Sequence, residues 1–313
     1  MTPPPLFHVG YHKTGTTWMQ RRLFKPPFGY QQVFKDKAEP EDGNDSVHEA
    51  IYNLITGPHR FAYDPAAVEA GIQAGHLDKT LVPVVSSEIM SGHPFWGGRE
   101  SFDLANRIHE AAPSARILVT IRAQVPAITS VYMQYVRRGG RLSVREFYNR
   151  KPPVGYDRFD PIHFEYHHLV GHYQKLFGAG NVLVLTQEQL ARDPEGFVAS
   201  LAAFSGSTAG EAMPSTAREG ASEAEVSVGL LRRINYFRRE GAGLDPIVNL
   251  GPLAMTAYRG TGWAFRQPFL KKRLGGRKPV RAVAQELFGG RFAASNQALQ
   301  QMCPDLELPG YEI

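Results

Sequence analysis

A single cysteine, Cys303, in 313 residues leaves this chain no internal disulfide and no cysteine-based zinc site. Disulfide scaffolds and zinc fingers are therefore excluded, and a reducing compartment fits best. Long hydrophobic runs are also missing: the longest are short strand-like stretches such as 117–121, far below the roughly 18 to 20 apolar residues of a bilayer span. The segment 1–10 has neither a basic start nor an apolar run of signal-peptide length. Neither export nor a transmembrane segment is expected, and the reading is cytoplasmic. Charge of one sign is in slight excess only, 35 Lys plus Arg against 30 Asp plus Glu for a formal net charge of +5, which does not argue for a specific nucleic-acid partner. Internal repeats are lacking, as is low complexity beyond the prolines at positions 3–5.

With 42% hydrophobic residues, the chain is rich enough to bury a large core. Four short apolar runs, at 6–9, 81–85, 117–121 and 182–185, are each followed by polar or turn residues, and helical periodicity fills the gaps between them. Strands that are continuously apolar and separated by helices imply a parallel sheet covered on both faces, a doubly wound α/β core. Ligands of such sheets bind beyond the carboxyl ends of the strands, which directs attention to Lys13, Glu88 and Arg122. The charged, Gly- and Asn-containing stretch 35–50 reads as a mobile surface insertion. Residues 226–239 read as a basic amphipathic helix, 241–276 as a Gly- and Pro-interrupted stretch without clear period, and 280–299 as helical around the Gly289-Gly290 break.

The first strand runs into Gly10-Tyr11-His12-Lys13-Thr14-Gly15-Thr16-Thr17-Trp18, and helical character follows. A strand, a Gly-bounded loop and a helix direct several backbone N–H groups and the positive end of a helix at one point, an arrangement suited to a phosphate. The two glycines are five apart as in a Walker A loop, but Thr16-Thr17 follows the second where that loop has Lys-Ser or Lys-Thr. The lysine lies inside the loop instead. From there it reaches a group just beyond a single 5′-phosphate, which the Thr16 and Thr17 hydroxyls and the helix N–H groups hold.

These residues resemble the sulfotransferase family that uses 3′-phosphoadenosine-5′-phosphosulfate (PAPS), whose first cofactor loop has the form Lys-[Ser/Thr]-Gly-Thr-Thr. The match falls on Lys13, Thr14, Gly15, Thr16 and Thr17, with Trp18 next as an adenine-stacking candidate. A second strand, 116–121, ends in Arg122, and Ser130 follows eight residues later on a helix whose first turn holds Pro126. This resembles the family's 3′-phosphate motif, an Arg at a strand end with a Ser eight positions on, although Ala123-Gln124 replaces the usual Asn or Asp. The resemblance continues to about residue 205 through Tyr166, Tyr173, Gly178, Glu188, Leu190 and Asp193-Pro194. It implies a P-loop-like sulfotransferase fold, with a cofactor-binding core at 6–205 and a helical or irregular C-terminal extension at 206–313, within one domain spanning 1–313. The extension is a candidate cover on the acceptor side.

The implied reaction moves a sulfuryl group in line from PAPS to an acceptor hydroxyl or amine, releasing 3′,5′-adenosine bisphosphate, with no metal required. Lys13 serves the leaving phosphate. Glu88, after the third run and Ser86-Ser87, is the expected base, with His12 and His93 in reserve. Ser86 and Ser87 are candidates to bond the sulfuryl oxygens, although hydroxyls at strand ends more often satisfy local backbone. Arg218 stands where the family brings a late loop over the 3′-phosphate. His163, His167, His168 and His172 lie at spacings a metal site can use, but read first as a polar helix face. Residues 246–285 hold eight Arg or Lys and no Asp or Glu, so 259–281 suggest peripheral contact with a membrane surface, an anionic acceptor or a nucleic acid, or a plain solvated face. A small-molecule, carbohydrate or lipid acceptor fits equally well. Two alternatives stay open: a small P-loop kinase with a degenerate loop, for which no strand end supplies the needed carboxylate, and a non-catalytic protein that docks on polyanions or membranes.

Overall fold

A computed structural model of the chain describes residues 2–35, 45–151, 158–208, 213–215, 224–238 and 246–312. In chain order the elements are β1 (Leu6–Gly10), α1 (Thr16–Trp18, continued by a π-helical turn Met19–Leu23), β2 (Tyr30–Gln32), α2 (Asp45–Ile51), α3 (Pro65–Gly75), β3 (Val82–Ser86), α4 (Ser101–Ala111), β4 (Arg116–Ile121), α5 (Gln124–Arg137), α6 (Val144–Asn149), α7 (His167–Phe177), β5 (Val182–Thr186), α8 (Gln187–Arg192) and α9 (Pro194–Ser205). The C-terminal part is helical: α10 (Val228–Ile234), α11 (Gly251–Arg266), α12 (Pro268–Leu274), α13 (Pro279–Phe288) and α14 (Ala293–Met302). Among the described residues no helix is long and apolar enough to cross a membrane.

Every strand pairing is parallel, in the order β2-β3-β1-β4-β5, so the four apolar runs of the sequence form the middle and one edge of a single sheet. The other edge, β2, has the sequence Tyr-Gln-Gln and lacks the apolar run that marks its neighbours. Alternation along the strands divides the core in two. Leu6, Val84 and Leu118 face a layer with Trp18, Met19, Phe197 and Leu201, while Phe7, Val9, Ile117 and Val119 face α4, α5 and α7. Val280, Phe288, Phe292 and Leu299 of the C-terminal part belong to that second layer.

Two stretches differ from the sequence expectation. Residues 45–51, expected in a mobile insertion, form α2, because Val47 and Ile51 one turn apart are fully buried; 36–44 lie outside the described residues. The stretch without clear period contains α11 and α12. Its buried positions Ala254, Tyr258 and Gly262 recur every four residues but are mostly small, so hydropathy alone does not reveal the stripe.

On the face that carries Leu6, Val84 and Leu118, the next inward position of each strand is polar: His8, Ser86 and Thr120. These three, all fully buried, form one hydrogen-bonded chain. The Thr14 hydroxyl donates its only proton to the Tyr11 carbonyl at 2.6 Å, so at 2.8 Å it accepts from Thr120. Thr120 Oγ1 then accepts from His8 Nε2 at 2.9 Å, and His8 Nδ1 accepts from Ser86 Oγ at 2.8 Å. Gln20 Nε2 ends the chain by donating to the Ser86 carbonyl at 2.8 Å and to its hydroxyl at 3.3 Å. Every proton has one acceptor, and the direction fixes His8 as the neutral Nε2–H tautomer. Burial agrees, holding the His8 pKa down to about 3. Gly10 completes the fit, since a Cβ there would lie 2.6 Å from Thr16 Oγ1 and 2.9 Å from both His8 Nε2 and Thr120 Oγ1.

Thr120→Val keeps the shape but leaves His8 Nε2–H without an acceptor and Thr14 without its donor. We expect a loss of about 1–3 kcal/mol in urea unfolding; a variant as stable as wild type would show that the chain does not hold the loop.

Candidate active site

Because β1 lies between β3 and β4, the segments that leave their carboxyl ends are neighbours. They carry Lys13, Glu88 and Arg122. The first segment turns on two residues of positive φ, Lys13 at 68° and Gly15 at 95°. Left-handed residues alternating along a loop turn successive N–H groups toward a common point, which makes an anion-binding concavity. Glycine adopts this freely at position 15, where a Cβ would also meet Leu190 Cδ2 at 2.9 Å; at Lys13 the same conformation costs about 1 kcal/mol. A strained lysine is therefore held at the tip of the loop.

The threonines divide their work. Thr14 is fully buried and its hydroxyl is committed to Tyr11 and Thr120, so it faces the loop's interior and not a ligand. Thr16 is 4% exposed, and its Oγ1 has no hydrogen-bond partner among the described residues. Thr17 is exposed. Trp18 is 7% exposed and packs in the core layer with Met19 and Leu23, and its Nε1 donates to the Ser215 carbonyl at 2.8 Å. That bond brings the start of the late segment onto the loop. Arg218 itself lies outside the described residues.

At the end of β4, Arg122 Nη1 donates to Ser130 Oγ at 3.2 Å, so the eight-residue spacing seen in the sequence is a contact in the fold. The turn that aims Arg122 is fixed from behind. Tyr166 Oη donates to the Arg122 carbonyl at 2.6 Å, and the Ala123 N–H donates to Glu188 Oε1 at 3.2 Å. Pro126 sits in the first turn of α5 and leaves its carbonyl to the Ser130 hydroxyl at 2.8 Å.

After β3, Ser86 and Ser87 are both fully buried and occupied, Ser86 with His8 and Ser87 as the N-cap of the turn Glu88–Ser91, whose Ile89 N–H it accepts. They serve local structure and are not free to bond a sulfuryl group. Glu88 is half-buried, and its carboxylate acts on Lys13. Burial lowers the Lys13 pKa most; Glu88 opposes this, and Arg137, Arg138 and Arg122 reinforce it. Among the described residues, Lys13 thus feels one carboxylate and three arginines.

Behind Lys13 stand three histidines. His12 and His93 have ring centroids 6.4 Å apart, and His163 lies 4.9 Å from the Tyr11 ring. Burial, helped by the neighbouring His163, His93, Arg138 and Lys13, holds His12 well below its usual pKa. Burial, with Arg138, brings His93 down to about 4, and burial, with His93, brings His163 to about 3. All three are neutral near pH 7 and are weak bases. His163 departs from the metal reading of the sequence, because a break at Glu165–Tyr166 separates its 3-10 turn from α7. His167 bonds Ser295 and His172 bonds Asn106, well apart in the fold, and among the described residues no group of three His, Cys, Asp or Glu is placed to hold a metal.

Arg137 and Arg138 were not singled out from the sequence, and His163 was read there with the helix histidines and not with this site. Arg137 lies seven residues beyond Ser130 on α5, two turns along the same face, and that spacing was the available signal.

A family model described as the sulfotransferase family matches residues 4–209. No curated protein matches the chain. Among solved structures, it is similar to a sulfotransferase from Alicyclobacillus acidocaldarius, with 22% identity over 90% of this chain and 100% of that one and a TM-score of 0.49. The sulfotransferase domain of the Synechococcus PCC 7002 olefin synthase is similar at 10% identity over 85% of this chain and 96% of its own, with a TM-score of 0.43. Mouse sulfotransferase SULT7A1 complexed with PAP is similar at 13% identity over 90% and 88%, with a TM-score of 0.35.

The buried histidines give a pH signature. Their pKa values fall on folding, so the unfolded chain binds more protons below its own histidine pKa of about 6.5, and stability must fall as pH falls. Between pH 7 and 5, where few carboxylates titrate, we expect each such histidine to cost up to about 1.4 kcal/mol per pH unit. Urea unfolding at both pH values checks this; equal stability would mean that these imidazoles are solvated.

Proposed function

The chain belongs to the sulfotransferase family, and from that membership we propose that it transfers a sulfuryl group from PAPS to an acceptor hydroxyl, or an amine, with Lys13 at the leaving phosphate and Glu88 as base. The observation that carries this reading is the pairing of two anion sites on adjacent strand ends. One is the left-handed turn at Lys13 and Gly15; the other is the Arg122–Ser130 pair. A donor with a 5′-phosphosulfate and a separate 3′-phosphate needs two such sites, whereas a nucleoside triphosphate needs one with a metal beside it. The unpartnered, nearly buried Thr16 Oγ1 supports the first site.

When bound, the donor supplies an activated sulfuryl group on a phosphate leaving group. The chain's own residues do the rest. Backbone N–H groups at 13–17 and the Thr16 and Thr17 hydroxyls hold the 5′-phosphate, and Lys13 meets the charge that grows on the leaving oxygen. Glu88 accepts the acceptor's proton; of the described groups acting on Lys13 it is the one carboxylate, and the low pKa values of His12 and His93 make them poorer bases. Arg122 and Ser130 hold the 3′-phosphate. Arg218 is proposed for the same phosphate, and the Trp18–Ser215 bond supports this by bringing residue 215 to the loop. Adenine stacking on Trp18 requires the segment at Ser215 to yield the ring, since so little of the indole is exposed. The core shared by 6–205 and the C-terminal helices supports one domain, with 206–313 as the acceptor-side cover.

Transfer is measured with labelled donor against a panel of phenolic, sugar and lipid alcohols. Lys13→Ala should lower it by about 10² to 10³-fold without lowering the unfolding midpoint. Glu88→Gln should lower it by about 10² to 10⁴-fold with nucleotide affinity intact. Full activity in either variant would remove that residue from the mechanism. Arg122→Ala should weaken 3′,5′-adenosine bisphosphate by about 10 to 100-fold, as loss of a charged hydrogen bond implies, and leave adenosine 5′-phosphate unchanged. Equal effects on both nucleotides would place the 3′-phosphate elsewhere.

A further inference from the structure

Besides its part in the proposed acceptor-side cover, the C-terminal segment carries an exposed apolar and basic face. In α11, Ala254, Tyr258 and Gly262 face inward, while Leu253, Ala257, Gly260 and Trp263 form an outward stripe. Leu253 is 75% exposed and Trp263 62%. Just before α11, Ile247 and Val248 are 72% and 54% exposed, and the backbone bonds Ile247 N to Tyr236 O and Leu250 N to Phe237 O fix that segment beside α10. In α12, Phe269 is 71% exposed and is flanked by exposed Lys272 and Arg273 at helical spacings of three and four. Six large apolar side chains on one stretch of 23 residues, 247–269 with Leu250 included, are far more than the scattered surface leucines of an ordinary protein.

Charge selects the occupant. Residues 246–285 hold eight Arg or Lys and no Asp or Glu, although the chain as a whole has nearly equal numbers of both signs. A second copy of this chain would bring the same cations to the contact and repel. A nucleic acid matches the cations but has no use for exposed Ile247, Val248 and Leu253. An anionic bilayer satisfies both, taking aromatic and aliphatic side chains into the headgroup boundary and holding Lys and Arg at its charged surface.

We propose that α11, α12 and the 247–250 segment form an interfacial docking face that holds the protein on anionic lipid membranes. The face is peripheral: neither helix spans a bilayer, and the apolar stripe lies along the helix axis. It does not depend on the identity of the acceptor.

The test is co-sedimentation of the full chain with vesicles of phosphatidylcholine alone and of phosphatidylcholine mixed with phosphatidylglycerol. The protein should pellet with the anionic vesicles and stay in solution with the neutral ones, and the binding should weaken as salt rises. Trp263 emission should shift to the blue on binding, and Trp263→Phe should abolish the shift. Lys272→Ala with Arg273→Ala should weaken partitioning by roughly 25-fold, about fivefold for each cation removed. Phe269→Ser should weaken it further, and the unfolding midpoint should not move because these side chains are exposed. Several results would overturn the proposal: no pelleting with anionic vesicles, unchanged binding in the Lys272 and Arg273 variant, or binding to free polyanions with no change in Trp263 emission. Burial of the face in a dimer that ignores vesicles would do the same.

Discussion

The buried hydrogen-bond chain from Gln20 through Ser86, His8, Thr120 and Thr14 to the Tyr11 carbonyl is the constraint on which the rest of the site depends. It crosses three adjacent strands at their carboxyl ends and ties them to the loop that follows the middle one. A loop with a lysine at positive φ would relax if it were free. Here the strain is held, because each proton in the chain has one acceptor and removing any member leaves a buried group unmatched. The His8 imidazole supplies a donor at one nitrogen and an acceptor at the other, which lets one side chain join β3 to β4 across β1.

Electrostatics follow from that geometry. Adjacent strand ends gather Lys13 and Arg122 from their loops and Arg137 and Arg138 from the far end of α5, with Glu88 as the opposing carboxylate. Neighbouring cations and burial lower the Lys13 pKa and keep His12 and His93 neutral. An anion bound at these strand ends would relieve the repulsion among the cations, which supports the proposed binding of a donor with two phosphate-like groups. The same neighbours weaken the imidazoles as bases and leave Glu88 the stronger candidate. Lys272 and Arg273 of α12 have a different setting, exposed and beside exposed apolar side chains, which suits contact with a surface.

Much of this was legible before the fold was known, and the reasons differ by residue. The central strands are buried on both faces, so they appear as unbroken apolar runs, and their ends point to Lys13, Glu88 and Arg122. The Arg122–Ser130 contact was legible because a helix converts a spacing of eight into proximity once the turn before it is sharp. β2 was not legible, since a three-residue edge strand with two glutamines has no hydrophobic signature. α11 was hidden by its glycines and by a buried stripe of small residues. Thr14 was expected among the ligand contacts and Ser86 and Ser87 were open between ligand and local backbone, because whether a hydroxyl faces a ligand or a neighbouring strand depends on register, which one strand's sequence does not carry. Arg137 and Arg138 lie at the far end of the helix that follows Arg122, where only a face argument could have found them, and His163 reaches the site through tertiary packing.

The central claim, that the strand ends form a metal-independent site for a nucleotide with separate 3′- and 5′-anions, is tested most directly by calorimetric titration of the wild-type protein. The ligands are 3′,5′-adenosine bisphosphate and ATP, each with and without Mg²⁺. The account predicts bisphosphate binding that is indifferent to the metal and much weaker binding of ATP. Preference for ATP in the presence of Mg²⁺ would contradict it in favour of a kinase, and binding of neither nucleotide would contradict it in favour of a non-catalytic protein.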